Sequence, residues 1–103
     1  MANYLLAFRG GMMPETEEEG EKLMAVWGAW FESLGSSVVL PGNPFGQSVA
    51  VKADGSTSEG GKASLTGYTV ISADSLELAG KAAAGCPIFD NGGDVDVYET
   101  IDM

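Results

Sequence analysis

Between residues 16 and 35 the chain carries a pattern that permits few interpretations. Leu23, Trp27, Trp30, Phe31 and Leu34 recur at helical spacing, with Glu32 on the opposite side. Thr16 and Glu19 form a capping-box pattern, the glutamates around them suit the positive end of the helix dipole, and Gly35 supplies the stop. A helix with so many large aromatics on one stripe has to lay that stripe on another apolar surface. Packing against a sheet is therefore the default role of Trp27 and Trp30.

The strands that would build such a sheet are legible on both sides of this helix. Asn3–Arg9 is a short, nearly continuous apolar run, the pattern of a strand covered on both faces, and Gly10 to Pro14 connects it to the helix. Ser37–Leu40 is a short β-branched strand that meets Pro41-Gly42-Asn43-Pro44, where the chain must turn or bulge. Gln47–Lys52 resumes an extended pattern, Asp54-Gly55 signals a turn, and Ser56–Lys62 reads as an exposed loop. Leu65–Ala73 is the next strand. Asp74-Ser75 caps a second helix from Leu76 to about Ala84, with Glu77 in a box-like position and Leu76, Ala79, Gly80 and Ala83 as its packing face. Gly85 and Pro87 close it, Asp90 to Asp94 turns, and Val95–Ile101 alternates as the last strand. Strand, helix, strand with a hairpin arm, strand, helix, strand is an α+β order. Two such βαβ-like halves predict a single ferredoxin-like βαββαβ domain over residues 1–103. Two helices cover only one sheet face, so a homodimer is the economical way to bury the other.

Composition narrows the chemistry. Fifteen Asp and Glu stand against five Lys and Arg, histidine is absent, and the formal charge is −10. Histidine-based catalysis and histidine-ligated metal are thereby excluded, and a phosphate backbone is a poor partner, so no nucleic acid is expected. Five of the fifteen acids fall between Glu15 and Glu21, which is the solvated start of the first helix rather than a cation site. The apolar start at Tyr4 to Phe8 is too short for a secretory core or a membrane span. A lone thiol, Cys86, fits a reducing cytoplasm and a structural role. The Asp90–Asp96 segment fails as a calcium loop because Val95 stands where glycine is required and Ile101 where glutamate is. No metal and no cofactor is expected.

Candidate contact residues are few. Arg9, the only arginine, ends an apolar strand and can either pair with a carboxylate or meet an anionic ligand group. The glycines after it lack a phosphate-loop pattern. Asn43 and Phe45 lie on a Pro-bracketed turn, where irregular backbone on a rigid scaffold often carries function. Tyr68 offers a polar wall and Trp30 an apolar one, while Tyr68 and Tyr98 could equally reach a dimer seam. A catalytic base, if one existed, would have to be a carboxylate of raised pKa, with Asp54 and Asp74 as the conceivable choices.

Several segments resemble the YCII-related (DGPF-like) family. They are Tyr4-Leu5-Leu6-Ala7-Phe8-Arg9-Gly10-Gly11, Trp27-Gly28-Ala29-Trp30-Phe31-Glu32-Ser33-Leu34-Gly35, Pro41-Gly42-Asn43-Pro44-Phe45-Gly46, Leu65 to Glu77, and Gly93 to Glu99. The resemblance implies a dimeric α/β barrel in which two ferredoxin-like sheets face each other. The histidine–aspartate pair of some family members cannot be carried over to a chain without histidine. The Asp-Gly-Pro-Phe motif is matched only at Asp54-Gly55, which Ser56-Thr57 follows. The expectation is a small cytoplasmic homodimer that binds a small molecule, an anionic one included, in a pocket near the barrel, through Arg9, Trp30, Asn43, Phe45 and Tyr68. Whether it is an enzyme stays open. The rival expectation is a non-catalytic structural or regulatory module whose dimer core is filled.

Overall fold

The computed structural model describes residues 2–11, 15–60 and 64–102. It is a mixed α+β fold with antiparallel sheets. The elements are β1 (Ala2–Arg9), α1 (Glu17–Leu34), β2 (Val38–Leu40), β3 (Val49–Val51), β4 (Thr57–Glu59), β5 (Leu65–Ala73), α2 (Leu76–Ala83) and β6 (Asp94–Glu99), with 3-10 turns at Gly35–Ser37 and Pro87–Asn91. Four strands form one sheet in the order β2-β5-β1-β6, and β3 and β4 pair separately as an arm. The two longest strands, β1 and β5, take the centre, where each has a neighbouring strand on both sides. The shorter β2 and β6 occupy the edges. Each helix joins two strands that flank a third: α1 crosses over β5, and α2 crosses over β1.

Strand alternation sorts the side chains. Tyr4, Leu6 and Phe8 face the helices, opposite Ile71, Thr69 and Gly67 of β5. Tyr4, Leu6, Ile71 and Thr69 are the largest fully buried side chains, and the Thr69 hydroxyl is satisfied by donating to the carbonyl of Pro41 at 2.8 Å. β1 was expected to be covered on both faces. Among the described residues only the helix side is roofed, and Leu5, Val70 and Tyr98 lie on the other. Arg9 and Asp96 form an ion pair on that second face.

The helix ends repeat the sequence pattern with differences. The Thr16 hydroxyl accepts from the Glu19 N–H at 3.1 Å, but the Glu19 carboxylate accepts from Glu15 N–H at 3.0 Å, one residue before the cap. At α2 the cap is Ser75, whose hydroxyl accepts from Leu78 N–H at 3.1 Å, rather than Asp74. Glu77 therefore sits one position too early for a box and meets Lys81 instead at 3.8 Å, an exposed pair of small worth. The packing face of α2 is Ala79 and Ala83, both buried, while Leu76 is 54% exposed. A helix this close to the sheet has room for methyl groups only.

Other boundaries shift as well. Part of the loop expected at 56–62 is strand: Thr57–Glu59 pairs with Val49–Val51 across the Asp54-Gly55 turn, because main-chain pairing does not need apolar side chains. β6 stops at Glu99, which pairs with Tyr4, and leaves Ile101 exposed. The turn expected at Asp90 to Asp94 starts earlier, as the 3-10 turn of Pro87–Asn91 closed by left-handed Gly92. Residues 12–14 of the first connection and 61–63 of the loop lie outside the described residues.

Candidate functional site

Beside β2 the edge of β5 is extended by a second short segment. Pro44 bridges Gly67, Phe45 N–H donates to Thr66 O at 2.9 Å, and Tyr68 N–H donates to Asn43 O at 3.3 Å. Between the two, Pro41-Gly42 bulges over β5. Gly42 has φ +76°, and any β-carbon there would collide with the Tyr68 carbonyl, so the bulge requires glycine.

This bulge is one wall of a cleft of about 430 Å³ at the end of the sheet where β1 finishes and β5 begins. Phe8 contributes to its floor, and the residue paired with Phe8 is Gly67, so that row of the sheet carries one side chain where two would normally stand. Gly10 and Gly11 continue the gap beyond β1. Leu23, Met24, Trp27 and Phe31 of α1 form the roof, and Ile88 and Asn91 close the side beneath the second 3-10 turn. Trp27 is held edge-on to Phe8 and to Trp30, with ring centroids 5.3 and 5.7 Å apart. The size lies in the usual range of small-molecule pockets.

The electrostatics of the cleft are simple. No Lys, Arg, Asp or Glu lines it among the described residues. Its threonine hydroxyls are engaged within the protein: Thr69 donates to Pro41 O, and Thr66 lies 3.0 Å from the carbonyl oxygen of Gly10. The Trp30 indole N–H donates to Ala82 O at 3.3 Å, whereas the Trp27 indole makes no hydrogen bond among the described residues. The carboxamides of Asn43 and Asn91 add polarity without charge.

The five residues singled out in the sequence do not converge. Asn43 and Tyr68 line the cleft. The Tyr68 ring stacks on Phe45 with centroids 5.8 Å apart, and Phe45 is outside the cleft lining. Trp30 is buried behind Trp27 and braces α1 against α2. Arg9 is paired with Asp96 on the other face of the sheet. Conversely, Trp27, whose default role from the sequence is packing, and its stripe neighbour Phe31 also roof the cleft. The signal that could have revealed this is Gly67, a glycine inside an otherwise β-branched and aromatic strand.

Titratable groups elsewhere have structural explanations. Burial, reinforced by the carboxylates of Glu99 and Asp74, raises the pKa of Tyr4. Burial pushes the Cys86 thiol up to about 11, the behaviour of an inert packed thiol. Hydrogen bonds from Ser56 hold the Asp54 carboxyl below its ordinary value, opposite to what a general base at neutral pH needs. No cluster of metal-ligating side chains occurs among the described residues, and none of their helices is long and apolar enough to cross a membrane. No protein-family model matches the chain, and no curated protein matches it.

Proposed function

We propose that this chain is a small-molecule-binding domain of ferredoxin-like topology, and that it works as a cytoplasmic homodimer. The observation that carries the binding reading is the cleft of about 430 Å³ between α1 and the sheet, roofed by aromatics and floored through glycine. The strand order β2-β5-β1-β6, with each helix crossing over one strand, supports the ferredoxin-like topology. The exposed sheet face supports the dimer: Leu5, Val70 and Tyr98 give it apolar surface, and the Arg9–Asp96 pair makes it self-complementary in charge, as an isologous contact requires. Two such faces packed together would give the barrel of the YCII-related family that the sequence resembles. The cleft opens on the other side of the sheet and would survive that association.

A thermal-shift screen of uncharged and charged metabolites tests the reading, with Leu23→Trp as the control that fills the cleft from its roof. Binding in the cleft predicts stabilisation of the parent protein and none of Leu23→Trp. Equal shifts in both proteins would remove the cleft from the site. A second reading, an interaction module whose dimer core is filled, is favoured by the same exposed sheet face. It predicts a dimer and no ligand-induced shift at all. In either case sedimentation that finds only a 10.6 kDa species at micromolar concentration would contradict the dimer.

A further inference from the structure

Resting on the binding reading, we infer that the ligand is an uncharged, largely aromatic molecule with a hydrogen-bond acceptor, and that the Trp27 indole N–H donates to that acceptor. Three observations converge on this class.

The first is charge. An ionised ligand group entering the cleft would lose its water and meet no countercharge among the described residues, since no Lys, Arg, Asp or Glu of theirs lines the walls. The one arginine is committed to Asp96 on the opposite face of the sheet. The net charge of −10 adds a field that repels anions from the whole molecule. The second is shape and surface. Phe8, Trp27 and Phe31 present ring edges and faces on the floor and roof, and Met24 adds a polarizable thioether at the rim, where it is 76% exposed. A flat ring system slid between α1 and the sheet would meet all four.

The third is the polar inventory. The cleft threonines already have partners in main-chain carbonyls. The two tryptophans differ: Trp30 spends its N–H on Ala82 O, and Trp27, which lines the cleft, has no hydrogen bond among the described residues. A ligand carbonyl or ether oxygen would complete Trp27, with the Asn43 and Asn91 carboxamides at hand for a second polar atom.

Three probes of nearly equal size separate these elements: methyl naphthyl ketone, which is neutral with an acceptor, ethylnaphthalene, which lacks the acceptor, and naphthoate, which is an anion. Their affinities are measured by equilibrium dialysis against the parent protein and Trp27→Phe, whose fold is checked by circular dichroism. The expected order is ketone over ethylnaphthalene by about fivefold, the worth of one net hydrogen bond. Naphthoate should bind at least about a hundredfold more weakly than the ketone. In Trp27→Phe the ketone should lose its advantage over ethylnaphthalene. Naphthoate binding as well as the ketone would overturn the charge inference and leave the binding reading standing. A ketone advantage that persists in Trp27→Phe would overturn the role of the indole. Failure of all three probes would overturn the inference, while the metabolite thermal-shift screen decides the binding reading separately, so the two failures stay distinguishable.

Discussion

The two helices lie on the same face of one sheet and meet it in different ways. The main chain of α2 comes close to β1, β5 and β6, with Ala79 and Ala83 buried beneath it. α1 makes its close main-chain approaches chiefly to the two 3-10 turns and reaches the sheet through Trp27, Trp30 and Phe31. Small side chains let a helix settle and leave no room. Bulky ones hold it off, and the space between is filled only as far as their rings extend. Toward the α2 side Trp30 fills it. Toward the end of β1, where Gly10, Gly11 and Gly67 withdraw side chains from below, it stays open as the cleft. The difference teaches that helix stand-off and missing sheet side chains together make the site, and that neither does so alone.

This contrast can be broken by substitution. The largest effect should come from Trp30→Ala, which removes a buried indole and its bond to Ala82: about 3–5 kcal/mol of stability lost in denaturant unfolding. Ala79→Leu adds volume where α2 is tightest and should cost about 1–3 kcal/mol. Leu23→Trp adds a comparable bulk at the open end and should cost no more than about 0.5 kcal/mol. If Ala79→Leu proves harmless, or Leu23→Trp proves as damaging, the distinction between a closed and an open end fails.

A smaller effect concerns pH. Cys86 follows α2 and has a folded pKa of about 11 against an ordinary 9.0. Because the folded state holds the proton more tightly, its stabilisation is complete below the ordinary value. It is lost as pH rises through the folded one. Stability measured by denaturant should therefore fall above about pH 9. In Cys86→Ala that part of the slope should be absent. A parent protein with no such slope would show that the closed end is wetter than its packing implies.

The elements were legible in the sequence where local chemistry specifies them: the stripe and cap of α1, the β-branched run of β5, and the turn at Asp54-Gly55. What was less legible depends on pairing. That Ser75 rather than Asp74 caps α2 is settled by which side chain reaches the N–H of Leu78. That Leu76 turns outward is settled by how near α2 lies to the sheet. The cleft itself comes from the register that sets Gly67 opposite Phe8, two residues far apart in the chain. Arg9 shows the same limit, since its position at a strand end fitted a ligand contact as well as the Asp96 partner that the register provides.

The central claim is that an uncharged aromatic ligand enters the cleft and bonds to Trp27. The chain has only two tryptophans, so its nitrogen-15 spectrum carries two indole N–H signals, one beside the cleft and one bonded to Ala82. Titration with methyl naphthyl ketone should move the Trp27 signal downfield in a saturable way and leave that of Trp30 nearly in place. A Trp27 signal that stays fixed through the titration, or a Trp30 signal that moves in its stead, would contradict it.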